Sequence, residues 1–155
     1  MKYVAFLRGI NVGGHTMIKM KKLRQALELL RFSNVKTMLA SGNVLFETPI
    51  KNQATLAKKI EERLKETFGF EIIVILRTGA QIQTLVKSAP FKMVTVTPNT
   101  RFHVTLSSTQ EICSVVDISS SGGTTDLMKQ LEKEYGKKIT TRNWNTILKI
   151  EKNLG

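Results

Sequence analysis

The pattern of apolar positions over residues 2–8, Lys2-Tyr3-Val4-Ala5-Phe6-Leu7-Arg8, predicts a strand that ends on a cation. A glycine-rich loop follows, Gly9-Ile10-Asn11-Val12-Gly13-Gly14. Met20, Leu23, Leu27 and Leu30 then recur at helical spacing and predict a helix near 19–31. Residues 34–40 and 44–47 read as strands joined by the tight turn Ser41-Gly42-Asn43. Leu56, Ile60 and Leu64 mark a helix over roughly 52–67, closed by Gly69, and residues 71–76 read as a fourth strand. The order β-α-β-β-α-β is the ferredoxin-like pattern.

The second half is less regular. Thr78 and Gln81 have the spacing of a capping box for a helix to about Ser88. Residues 90–98 read as a linker, 101–107 and 112–118 as a second hairpin, and 119–123 as a flexible Ser/Gly loop. Thr124 or Thr125 is expected to cap a helix that Gly136 ends. A last helix is expected to start near Thr141 and to carry Trp144, Ile147 and Leu148 inward. The expectation is therefore an α+β fold: a ferredoxin-like half over residues 1–77, packed with a smaller α/β half over 78–155 in one continuous compact unit.

Composition adds bounds. With 155 residues, 41% hydrophobic and 23% charged, the chain has the material for a core without disulfides or metal. Cys113 is the single cysteine, so an internal disulfide is excluded and a reducing compartment is expected. No apolar run approaches the roughly 18 residues of a membrane span. The first eight residues read as too short for a signal peptide, so the expected address is the cytoplasm. Charge is the unusual property: 24 Lys and Arg face 12 Asp and Glu, a formal net charge of +12. Residues 1–40 hold eight of the bases and one acid. Such a field attracts polyanions and acidic ligands.

Three motifs carry a family resemblance. They are Leu7-Arg8-Gly9-Ile10-Asn11-Val12-Gly13-Gly14, Ser41-Gly42-Asn43-Val44 with Phe46, and Thr141-Arg142-Asn143-Trp144-Asn145-Thr146. In this order they resemble the bacterial DUF1697 family, a domain of unknown function. The resemblance spans residues 7–146 and implies a cytosolic α+β protein with a ferredoxin-like portion; it implies no activity. The chain departs from the family's pattern between residues 103–107 and the third motif, where the segment is shortened and replaced by the Ser/Gly loop at 119–123.

In a ferredoxin-like sheet, strands one and two run parallel with strand three between them. The glycine loop and the Ser41–Asn43 turn should then lie on one edge. A polar cluster of Arg8, Asn11, Ser41, Asn43, Arg142 and Asn143 is expected there, with Gly9, Gly13, Gly14 and Asn145 completing a candidate ligand-binding set. The plainer alternative is that these groups satisfy loop carbonyls and amides.

The loop also matches G-x-x-x-x-G-K-[ST] with His15 in place of lysine. The missing lysine and the late return of helical periodicity speak against a nucleotide P-loop. Backbone amides beside Arg8 suit simpler anion binding. Strands one and three match the positions of an RNA-recognition sheet, but Phe6 and Phe46 are expected in the core rather than on a stacking face. No metal-ligand spacing appears and no cofactor is implied. Cys113 and His103 form a conceivable nucleophile pair across the second hairpin, against the commoner lone buried cysteine. The main functional expectation is an anion-binding module for nucleic acid or nucleotide, with Arg8 and Arg142 on phosphate. The alternative is an enzyme acting on a small phosphorylated ligand, for which His15 is the one nearby titrating candidate. A ligand-free stability or assembly role is the third.

Overall fold

A computed structural model describes residues 1–12, 14, 16–119 and 122–155. The chain runs β1 (Lys2–Leu7), α1 (Met20–Glu28), β2 (Ser33–Met38), β3 (Asn43–Glu47), α2 (Gln53–Phe68), β4 (Val74–Thr78) and α3 (Gly79–Lys87). It continues through β5 (Thr100–Leu106), β6 (Glu111–Asp117), α4 (Gly123–Tyr135), β7 (Thr140–Asn143) and α5 (Trp144–Asn153). Two antiparallel sheets result, ordered β2-β3-β1-β4 and β6-β5-β7. The first is the expected ferredoxin-like sheet.

Each face of that sheet is covered. Tyr3, Ala5 and Leu7 of β1 point to one face and pack with Leu23 and Leu27 of α1 and Leu56, Ile60 and Leu64 of α2. Val4 and Phe6 point to the other and pack with Ile82 of α3, Val104 and Leu106 of β5, and Ile147 and Ile150 of α5. Burying one such side chain contributes about 1.5–3 kcal/mol. The second core therefore takes residues from both halves of the chain. It also explains why β1 is apolar at consecutive positions. Phe6 and Phe46 are buried, Phe46 stacked between Tyr3 and Phe32, so neither presents a ring for base stacking.

Local signals position the helices. Asn52 accepts from Thr55 N and caps α2, and Gly69 ends it in a left-handed conformation. Thr78 and Gln81 form the expected capping box of α3. Trp144 is half-buried and meets Phe91 edge-on at 5.2 Å between centroids, while Ile147 is fully buried behind it. Among the described residues, no helix is long and apolar enough to cross a membrane.

Four expectations change. The last helix begins at Trp144, because Thr140–Asn143 first pair with β5 as a short strand. The cap of α4 is Gly122 rather than Thr124 or Thr125, and it makes no side-chain cap bond. The fourth strand starts at Val74, three residues later than expected, where pairing with β1 begins. Cys113 is exposed on β6, an edge strand of the second sheet, instead of buried. Ser120 and Ser121 of the expected flexible loop lie outside the described residues.

Candidate functional site

The carboxyl end of β1, the β2–β3 turn and β7 meet at one edge of the molecule. Gly42 makes the meeting close. Its φ is +86°, and a Cβ there would stand 2.6 Å from Ile10 Cδ1 and 3.0 Å from Leu7 Cβ. Its carbonyl accepts from Leu7 N at 2.9 Å, which ties the turn to the end of β1. Asn11, with φ of +54°, folds the glycine loop back. Its amide donates to Ile18 O at 3.2 Å and to Ala40 O at 2.8 Å, and its carbonyl accepts from Ile18 N at 2.7 Å.

Arg142 is the centre of this edge. Val104 pairs with Arg142 across β5 and β7, and Val104 belongs to the second core, so alternation turns the guanidinium inward. Nε donates to Asn43 Oδ1 at 2.7 Å. Nη1 donates to Thr140 Oγ1 at 2.7 Å and Thr141 O at 3.0 Å. Nη2 reaches Leu7 O at 2.7 Å, Ser41 O at 3.0 Å and Gly42 O at 3.3 Å. Asn43, fully buried, donates in turn to Met38 O and to Ser41 Oγ, each at 2.9 Å. The plane lies over the Phe6 ring at 5.7 Å. Burial pushes the Arg142 guanidinium down to about 10, so it remains a cation at neutral pH. All three of its nitrogens are committed to protein acceptors. The expectation that Arg142 contacts a ligand's phosphate therefore gives way to a different role: it organises the floor of the site.

Above that floor lies a cleft of about 240 Å³, lined by Arg8, Gly9, Ser41, Glu132, Thr140 and Thr141 among others. Arg8 enters it from the end of β1. Its Nη1 donates to Ile139 O at 3.1 Å and to Lys137 O, and its Nη2 pairs with Glu132 of α4. The side chains of Arg8 and Glu132 are 26% and 38% exposed, so a ligand can reach both. Gly9, with φ of +69°, has open space where a side chain would stand.

Of the expected set, Ser41, Asn43 and Arg142 form one linked network, Asn11 bonds beside it to Ala40 O, and Arg8 and Gly9 lie on the adjoining cleft. Gly14 is exposed in the loop, and Gly13 and His15 lie outside the described residues. Asn143 is drawn away, because its side-chain Oδ1 caps α5 by accepting from Thr146 N at 2.9 Å. Asn145 is exposed on α5. Helix α1 starts at Met20, so the glycine loop does not run straight into a helix as a P-loop does.

Sequence reasoning missed Glu132, hidden in the ordinary charge pattern of α4. It also missed a second buried arginine. Arg77 of β4 donates to Glu111 Oε1 at 2.8 Å, Leu76 O at 2.8 Å, Ser107 O at 2.7 Å and Gln110 O at 3.0 Å. It fastens the β5–β6 hairpin to the first sheet. His103 pairs with Ser114 while Cys113 pairs with Val104, so the two side chains leave opposite faces of the sheet and make no nucleophile pair. Partial desolvation of the otherwise exposed side chain, then Glu111, raises the Cys113 thiol, which keeps it protonated.

Comparison with solved structures shows a similar fold in "conserved bacterial protein SP0830 from Streptococcus pneumoniae". The TM-score is 0.71 at 22% identity, covering 99% of this chain and 98% of that one. A comparison with curated proteins finds no match. The family model described as "Protein of unknown function (DUF1697)" matches residues 1–140, which include the first two motifs and stop just before the third. The chain belongs to the DUF1697 family.

Proposed function

We propose that this protein is a binding module for an anionic ligand of nucleic-acid or nucleotide chemistry, taken up at the Arg8 cleft. The observation that carries the reading is the partly exposed Arg8 guanidinium in an open cleft, on a chain with a formal net charge of +12. Elsewhere on the surface Lys129 and Lys133 of α4, and Lys137 and Lys138 before β7, are exposed and pair with no carboxylate among the described residues. Among the described residues, five of the 24 lysines and arginines make such a pair. A partly exposed arginine beside an open glycine, on a strongly basic chain, favours phosphate or carboxylate ligands.

Among the described lining residues the titratable side chains are Arg8, Glu132 and Arg142. Two are fixed cations and the third sits on Arg8, which favours binding over the phosphoryl-ligand enzyme. A cytoplasmic setting, where nucleotides and nucleic acids abound, fits the same reading.

The test is a titration of a short labelled oligonucleotide against the protein at several salt concentrations. Affinity should fall linearly on a log–log plot, with a slope of roughly −0.7 per phosphate contacted on a single strand. Absence of binding at low salt removes the reading.

A further inference from the structure

The Arg8–Glu132 pair stands where an anion would have to bind, and the inference drawn from it rests on the binding reading above. Arg8 Nη1 is held by the Lys137 and Ile139 carbonyls. Its Nη2 has one partner among the described residues, the Glu132 carboxylate. The pair lines the open cleft and remains partly accessible, so Glu132 occupies the place on Arg8 that a ligand's anionic oxygen would take. Any anion that binds Arg8 must exchange with a carboxylate already there.

We infer that the site takes a phosphomonoester, the terminal phosphate of a mononucleotide or of a nucleic-acid 5′ end, in preference to an internal phosphodiester. A phosphodiester carries a single charge, like Glu132, and gains little by the exchange. A monoester carries about −1.5 to −2 at pH 7 and offers three acceptor oxygens. It can therefore hold Arg8 more strongly than the carboxylate does. The displaced Glu132 can turn toward Lys129, three residues before it on the same face of α4.

The test uses two single-stranded octanucleotides of one sequence, labelled at the 3′ end, one with a 5′-phosphate and one with a 5′-hydroxyl. For the unmodified protein the phosphorylated strand should bind at least tenfold tighter. That preference should fade as pH drops through about 6, where the monoester loses its second charge. Glu132→Gln should tighten both strands and shrink the preference. Arg8→Lys, which keeps the charge without the fork, should lower affinity for the phosphorylated strand. Competition by AMP at similar affinity supports a free nucleotide as the source; weak competition supports a strand end. Equal binding of the two strands, unchanged by Glu132→Gln, overturns this inference and leaves the polyanion reading standing. No binding of either strand at low salt overturns both.

Discussion

Arg142 Nε donates to Asn43 Oδ1 at 2.7 Å across 99 residues of chain, and both side chains are buried. No carboxylate accompanies the cation among its hydrogen-bond partners. Carbonyl dipoles and two side-chain oxygens neutralise it. The link is a structural joint between the last strand and the first sheet.

Removing either member should be costly. Arg142→Lys keeps the charge but reaches fewer of the six acceptors, and Asn43→Ala leaves Nε without its partner. Losses of about 3 kcal/mol for the first and about 2 kcal/mol for the second are expected. Urea unfolding followed by circular dichroism measures both, and a loss under half a kilocalorie for Arg142→Lys contradicts the joint.

Gly42→Ala combines a left-handed backbone with a Cβ driven against Ile10 and Leu7. The expected cost is about 2–4 kcal/mol, the sum of strain and overpacking. Gly9→Ala is the control: the same class of φ, with open space at the Cβ position, should cost less than half as much.

At the second buried arginine, Arg77→Ala should destabilise more than Glu111→Gln. The glutamate variant leaves Arg77 bonded to three carbonyls, while the arginine variant strands all of those acceptors. Thermal unfolding midpoints in that order bear the argument out, and the reverse order refutes it.

His103 gives a pH signature. Desolvation first, then the neighbouring Arg101, lower its pKa below 6.5. Between the folded value and 6.5 the unfolded chain binds more protons than the folded one, so stability rises with pH there. Stability from this group is thus complete above pH 6.5 and is lost as pH falls through the folded value. His103→Gln should flatten that part of the stability curve. An NMR titration giving His103 a value at or above 6.5 excludes it.

The first sheet was legible because its strands and helices repeat apolar residues at periods that topology does not disturb. Strand β7 was not. It has four residues, and its core-facing position is Arg142, a residue that pattern reading assigns to the surface. The acceptors that make that burial tolerable come from residues 7, 41 and 42, far away in sequence. Arg77 escaped for the same reason, although Ile75 and Arg77 alternate onto one face of β4 and hinted at it. The polar motifs did converge at one edge, because strand order alone determines which loops are neighbours. The strand-and-helix pattern contained no information on which motif residue would be used up as an N-cap, as Asn143 is, or on the carboxylate of Glu132 opposite Arg8.

The bond from Arg142 to Leu7 O spans 135 residues, so the floor of the cleft is among the most non-local contacts in the chain. Contacts that close the longest loops form late in folding. During synthesis the first sheet and its two helices can assemble while the last strand is still untranslated. The cleft does not exist at that stage, and the nascent chain offers a basic surface with no finished site. The cleft floor is complete only once β7 has paired with β5 and Arg142 has reached the end of β1.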